Sequence, residues 1–495
     1  MKNTAKPNKN QTIRTRIPPS PTGFMHIGTA RTALFNFLFA RHSQGEFLFR
    51  IEDTDTERSK PEFEQEIIES MKWLGLEWDG EILKQSERKK IYAKYIKKLL
   101  DSGEAFWCCH TKEELEKEKQ EQQKKGEPQV HFCSHKNESE FKIKNLKLKI
   151  PGVIRLKCSV EKDIEFDDLI RGKITFSPGQ IGDIVIAKDE QTPLYHLAVV
   201  IDDYESKVTH VIRGEDHISN TPKQIMIQEA LGLPVPQYAH ITLTLAPDKT
   251  KLSKRHGATA IKEYREMGYL PEAIINFMAL LGWNPGTEKE FFSLDELIKE
   301  FSIEKMQKSA AIFNIEKLNW FNAHYIKQKD LKELTNLCIP FLEKENLIKK
   351  SDTKYLIPDT EEVVDFDYLL KIAELGKERM KKLSEIGKLT QFFFKEPEYD
   401  TELLNWKKME KEEIKASLDK SYNILFEINE ADFIGEKLKE KLMPEAEKMG
   451  DRGALLWPLR VALTGLKASP PPFEVLEALG KEKALERLKT AIGKL

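Results

Sequence analysis

The sequence predicts an α/β fold built on a parallel sheet, interrupted by an insertion and followed by an all-α region. Strand-like runs alternate with helical periods through the first 100 residues and again after about residue 190. Between those stretches lie two Cys/His pairs, a Lys/Glu/Gln-rich spacer at 112–125 and short β-rich pieces, which read as an insertion at 101–190. Beyond residue 268, Leu, Ile and Phe recur at spacings of three and four, as in helices with one buried face.

Residues 1–11 are mostly Lys, Asn and Pro without an apolar run, which predicts a loose tail and neither a signal peptide nor an anchor. A strand at 12–17 runs into a Pro/Ser/Gly turn at 18–23, and a helix begins near His26. A second strand at 47–51 ends in Glu52, Asp53 and Asp55. Ser59 reads as the N-cap of the next helix, with Glu62 three residues on and Phe63, Ile67, Met71 and Leu74 at helical spacing. After the insertion the pattern resumes with apolar runs at 197–201 and 208–212, and another helix opens at Thr221-Pro222 with Gln224 in capping-box position. A parallel sheet carries its ligand site at the carboxyl ends of its strands, so the turn at 18–23 is the first place to look for chemistry. No repeat of fixed period appears.

With 495 residues the chain is long enough for several domains. Its 40% hydrophobic and 32% charged residues can build buried cores under a well-solvated surface, and the mean hydropathy of −0.51 agrees. The longest apolar stretch, 273–283, contains Asn276 and is far short of the roughly 20 residues that cross a bilayer. Five cysteines do not make a disulfide framework, and the grouping of Cys108, Cys109 and Cys133 beside histidines points to a reducing, cytosolic setting. Cys158 and Cys338 have no visible partners. Lys plus Arg is 79 and Asp plus Glu is 81, so bulk charge gives no support for a nucleic-acid partner. The charge runs at 94–98 and 407–413 read as solvated helix faces.

Two segments carry the chemistry. In 19–29, Gly23 and Gly28 let another group approach the backbone, and His26 at a helix N-terminus can meet phosphate charge. In 251–255, three cations in five residues follow a loop and can neutralise charge on a reacting phosphate. Either segment alone is ordinary turn chemistry or surface basicity. Cys108-Cys109-His110 and Cys133-Ser134-His135 form two C-x-H pairs, the four N/S donors of a closed structural zinc site, with Cys109 able to replace a neighbour. The competing reading is a set of small buried thiols beside solvated histidines.

Taken together, PSPTG-x-x-HIG at 19–28, IEDTD at 51–55, VIRGEDH at 211–217 and KLSKRHG at 251–257 resemble the bacterial-type glutamyl-tRNA synthetases. The first and last are similar to the HIGH and KMSKS motifs of class I aminoacyl-tRNA synthetases, and the similarity runs over essentially the whole chain. The resemblance implies a Rossmann-type catalytic domain in two halves, 12–100 and 191–260, around an acceptor-binding insertion at 101–190. It further implies a helical stem-contact domain at 261–330 and helical anticodon-binding domains at 331–495. L-glutamate, ATP with Mg²⁺ and tRNA-Glu become the expected substrates of a cytoplasmic monomer with no DNA or membrane partner.

Residue by residue, the resemblance assigns Arg16 and Arg213 to the carboxylates of glutamate, Glu52 to its ammonium, and Tyr195 and Ser20 to the same ligand. Bidentate Arg forks with one acidic partner complement two carboxylates and one ammonium. It assigns Pro19, Ser20, Thr22, Gly23, His26, Gly28, Thr29, Lys251, Ser253, Lys254 and Arg255 to ATP, with His26 and Lys254 stabilising phosphate. Zinc in such relatives would correspond to Cys108, His110, Cys133 and His135, and anticodon inspection to Arg379. Departures from the family pattern are Thr29 in place of the last His of HIGH, Pro18 before the PSPTG proline, and Val199 where some relatives carry Asn. Rival readings are a non-discriminating enzyme that also charges tRNA-Gln, a glutaminyl-tRNA synthetase, a tRNA-modifying glutamylase and a non-catalytic zinc-dependent RNA-binding module. The helical region and the arginine pattern disfavour the second and third, and the intact motifs disfavour the last.

Overall fold

A computed structural model describes residues 12–55, 57–138, 152–159 and 162–495. The chain forms two compact units: the described residues of Met1–Arg265 with Pro271–Ile315, and Glu266–Leu270 with Glu316–Leu495.

The first unit is built on parallel strands. Strand β1 (Arg14–Ile17) pairs with β2 (Glu46–Ile51), Arg16 opposite Leu48, and β3 (Leu83–Lys84) continues the sheet. Helix α1 (Ile27–His42) crosses over between β1 and β2 and is buried nearly all round, as its run of Ala, Leu and Phe requires. Its two buried polar side chains reach the second half of the sheet. Asn36 donates to the Ile212 carbonyl at 2.9 Å, and Arg31 donates to the Thr242 carbonyl at 2.8 Å.

That second half consists of β9 (His210–Gly214) and β10 (Gln237–Ile241), also parallel. The Thr209 N–H donates to the Arg14 carbonyl at 2.9 Å and sets β9 beside β1. Strand β6 (Ile164–Asp168), from inside the predicted insertion, pairs with β10 through Asp168 and Tyr238, and β7 (Gly172–Phe176) runs antiparallel to β6. The insertion also makes its own antiparallel sheet from β4 (Ala105–Cys108), β5 (Val153–Leu156) and β8 (Val185–Ala187). Ile154, Leu156 and Ile186 of that sheet pack into one core with Tyr92, Ile96, Leu197 and Ile201.

Local expectations failed in three places, the first being Gln224: the helix Thr221–Leu231 follows Asn220 without a side-chain cap bond, and the Gln224 oxygen accepts from Arg213 instead of closing a capping box. The helix after β2 spans Pro61–Trp73 with Lys60 at its N-cap and Pro61 at its start, so the predicted Ser59 cap and Glu62 box do not form. Proline presets the backbone angle of the first helical position and lacks the N–H that would be unsatisfied there, so the helix starts at Pro61, past the predicted cap. The run at 197–201 is not a strand but the middle of a helix, Tyr195–Glu205. A short apolar run fits a buried helix as well as a buried strand, and only packing separates them.

The second unit is helical except for three short antiparallel strands, Lys349–Ser351, Lys354–Ile357 and Glu362–Val364. Buried Arg487 joins distant helical segments here, donating to the carbonyls of Leu463 and Phe392 at 2.6 Å.

Candidate active site

The turn after β1 brings the two distant motifs together. His26 caps α1, its Nδ1 accepting from the Gly28 N–H at 3.0 Å. A side chain at 28 would begin 3.2 Å from that nitrogen, so glycine keeps the cap close. With Nδ1 an acceptor, the neutral ring carries its proton on Nε2 and offers it outward as a donor. Burial, the charge of Lys251 and, in opposition, Glu263 together hold the His26 pKa below its ordinary value. On the other side of the turn, the Ile27 N–H donates to the Thr259 carbonyl and the Ile261 N–H to the Met25 carbonyl, at 2.8 and 2.9 Å. The segment that follows KLSKRHG is thus zipped onto the PSPTG-x-x-HIG turn.

In the same turn, the Pro19 carbonyl accepts from the Glu52 N–H at 3.0 Å, while Ser20 and Thr22 stay exposed and no neighbour crowds Gly23. Lys251 reaches Asp216 at 3.2 Å, tying the basic loop to the end of β9. The Ser253 hydroxyl lies 3.1 Å from His256 Nδ1, and Arg255 donates to the Thr250 hydroxyl at 3.0 Å. Lys254 begins a short 3-10 turn, Lys254–His256, and its side chain lies outside the described residues.

At the strand ends, four of the expected glutamate residues converge. Tyr195, at the start of its helix and 38% exposed, has its phenol raised by partial desolvation and Glu52, with Arg213, Arg16 and Arg50 pulling the other way. Arg16 is 2% exposed; its Nε donates to Asp203 at 3.2 Å, and its Nη1 is buried without a partner among the described residues. Arg213 donates to His240 at 3.1 Å and to Gln224 and Thr221 at 2.8 Å, and none of these acceptors is a carboxylate. Burial lowers its pKa. Glu52 shares Arg50 with Asp203, at 2.9 and 2.6 Å. Asp203 receives two guanidiniums and is held below the usual carboxylate range against its burial. Burial outweighs the single Arg50 at Glu52 and leaves that carboxyl raised. One acid and one arginine in this pocket therefore lack full compensation.

Sequence reasoning missed Arg50, Asp203, His240 and Asp168. A signal existed for Asp203, because Asp202-Asp203 interrupts the otherwise apolar run of the helix Tyr195–Glu205. None existed for His240, whose β10 setting looks like any buried strand position. Val199 is buried, so its side chain offers no polar contact at that position.

The Cys/His cluster forms with one change. Cys108, His110, Cys133 and His131 bring their ligand atoms within 4.8 Å of one another. His131 replaces the expected His135, whose Nδ1 instead accepts from the Cys109 N–H at 3.2 Å. A two-residue step from Cys133 places His135 in a 3-10 turn, Ser134–Asn137, while His131 lies before that turn in irregular chain. The donors fit a tetrahedral ion, for which S···N edges are about 3.6 Å. His110 Nδ1 lies 3.5 Å from both Cys108 Sγ and Cys133 Sγ, and His131 Nε2 lies 3.9 Å from Cys108 Sγ. Glu118 takes the other nitrogen of His131 at 2.5 Å, the arrangement that orients a metal-ligating imidazole.

A parallel sheet whose strand ends carry a capped His turn, a basic loop zipped onto it and a charged amino-acid pocket defines a class I aminoacyl-tRNA synthetase. The sequence comparisons agree: residues 12–320 match the catalytic domain of the class I tRNA synthetases (E and Q), and 333–492 match an anticodon binding domain. The chain belongs to that synthetase family. It is 43% identical to glutamate–tRNA ligase 1 of Caldanaerobacter subterraneus subsp. tengcongensis, over 97% of each chain. It is 44% identical to the glutamate–tRNA ligase of Aquifex aeolicus, over 98% of this chain and 99% of the relative. Among solved structures, a glutamate tRNA ligase from Elizabethkingia meningosepticum, in complex with its amino acid, superposes with a TM-score of 0.85 at 34% identity, covering 98% of this chain and 100% of that one.

Proposed function

We propose that the protein is a glutamate–tRNA ligase, which activates L-glutamate with ATP and transfers it to the 3′-terminal adenosine of tRNA-Glu. The observation that carries this reading is the incomplete charge compensation of the pocket. Among the described residues, Arg213 meets only neutral acceptors, Arg16 holds a buried N–H without a partner, and Glu52 shares the Arg50 guanidinium with Asp203. Glutamate can supply a carboxylate to Arg213, a second acceptor to the open N–H of Arg16, which already pairs with Asp203, and an ammonium to Glu52. Glutamine would leave an arginine donor unpaired, and such sites discriminate strongly.

The α-carboxylate of glutamate attacks the α-phosphate of ATP and diphosphate leaves; a ribose hydroxyl of the tRNA then attacks the carbonyl of the adenylate and AMP leaves. No protein nucleophile is required, so rate comes from positioning and charge neutralisation. His26 Nε2–H, Lys251 and Arg255 are the donors for ATP phosphates, with Ser20, Thr22 and Gly23 lining the turn and Mg²⁺ accompanying the nucleotide; Lys254 takes this role from its motif. Zinc would be held by Cys108, His110, His131 and Cys133 and would crosslink the insertion without an open position for catalysis. The insertion receives the acceptor end and the second unit the anticodon. Support for the latter is that residues 333–492 match an anticodon binding domain, within which exposed Arg379 is a candidate contact.

The test is charging of purified tRNA-Glu and tRNA-Gln transcripts with labelled glutamate and labelled glutamine. Glutamate on tRNA-Glu alone is expected. Glutamate on both transcripts would make the enzyme non-discriminating, and glutamate on neither would overturn the reading.

A further inference from the structure

We infer that Asp168 and His240 are a buried positioning pair for Arg213, which fixes the guanidinium so that it reads a carboxylate and not an amide. The inference rests on the proposed glutamate-binding role of Arg213 and goes one layer deeper. Asp168 closes β6 and His240 lies on β10, and both side chains are fully buried. The Asp168 carboxylate is pinned by the backbone N–H groups of Ile170, Arg171 and His240, at 3.0, 2.8 and 3.1 Å. It accepts from His240 Nδ1 at 2.6 Å. Across the ring, Arg213 Nε donates to His240 Nε2 at 3.1 Å.

An arginine N–H can only donate, so Nε2 must be the unprotonated nitrogen and Nδ1 must carry the proton. Asp168 enforces that tautomer. Thr221 and Gln224 take one N–H from each terminal nitrogen of Arg213, which leaves two of its five N–H bonds for a ligand. The guanidinium carbon also sits 5.4 Å from the centre of the Tyr238 ring, which is nearly parallel to the His240 ring at 11°.

The contrast with Arg16 shows what the imidazole does. Arg16 is held through the same nitrogen, Nε, but directly by the carboxylate of Asp203. At Arg213 a neutral ring stands between guanidinium and carboxylate. Geometry is relayed, but the positive charge is not cancelled at contact distance, and it remains available to a side-chain carboxylate. A hydrogen bond to a neutral acceptor thus sets direction, while the charge is kept for the substrate.

The test compares His240→Leu and His240→Gln in the full chain by steady-state charging of tRNA with glutamate. Gln can place an acceptor oxygen near the position of Nε2, and Leu cannot. For His240→Leu the KM for glutamate should rise about tenfold or more, the typical weight of a bond to a charged group, with the KM for ATP unchanged. His240→Gln should recover most of the loss. A glutamate KM within twofold of the parent, an equal rise for ATP, or no recovery with Gln would overturn the inference. If His240→Leu does not fold, ¹⁵N-histidine NMR of the parent protein decides. An Nδ1–H tautomer with a bare Nε2 at neutral pH is expected, and an Nε2–H or an imidazolium overturns the proposal. Failure of the parent protein to charge any tRNA with glutamate would sink the functional reading instead, while the NMR measurement would still report on the pair.

Discussion

The amino-acid pocket and the Cys/His cluster are both polar islands in the first unit, and they differ in whether their polar groups satisfy one another. In the pocket, among the described residues, Arg16 Nη1 has no partner, Arg213 meets only neutral acceptors, and Glu52 shares its arginine. In the cluster, two thiols and two imidazoles close on a common point, and Glu118 completes the shell behind His131. Unspent charge inside a fold costs stability and persists where a ligand will meet it. A closed donor set leaves no room for a substrate and serves the fold. The same principle of buried polar satisfaction thus separates a binding site from a structural one.

The comparison breaks first at Arg213. Arg213→Ala should lower kcat/KM for glutamate about 10²- to 10³-fold, the cost of truncating one member of a buried charge pair. Steady-state charging measures this, and a drop below tenfold would mean that Arg213 is structural.

Metal content comes next. Purified protein should carry one zinc per chain, and a chelator should lower the melting temperature, because metal binding contributes folding free energy. His131→Asn should lose the metal and His135→Asn should keep it. The reverse pattern, read by elemental analysis, would restore the C-x-H pairing legible in the sequence.

A smaller effect is expected at the back of the shell. Glu118→Gln should weaken zinc by about 10- to 100-fold in competition with a chelating dye, since outer partners tune ligand basicity. An unchanged affinity would make Glu118 a surface acid.

The smallest effect is with pH. Burial pushes His210 down to about 4, and burial with Lys223 does the same for His196. Their folded pKa values lie below the ordinary 6.5, so the folded state resists protonation. The stability they support is full above about pH 6.5 and is lost as pH falls towards about 4. The melting temperature should therefore decline from pH 7 to pH 5 in the parent and less steeply in His210→Leu. Parallel slopes would remove His210 from the account.

Much of the site was legible from local chemistry. A turn rich in Pro and Gly before a helix, a His at its cap and a basic loop are written in consecutive residues, and the structure joins them through Ile27, Thr259, Met25 and Ile261. Secondary structure was less secure where one apolar run fits two periods, as at 197–201, and where a proline supplants a cap, as at Pro61. What the sequence determined by itself was therefore the α/β order and the two segments at 19–29 and 251–255, because both depend on residues close in the chain; Arg16, Glu52, Tyr195 and Arg213 were assigned only through the family resemblance. The tertiary structure decided which buried groups oppose one another: Asp203 against Arg16, Asp168 through His240 to Arg213, and His131 in place of His135. Those pairings are set by strand register and helix packing across separations such as 187 and 72 residues, which no local pattern encodes.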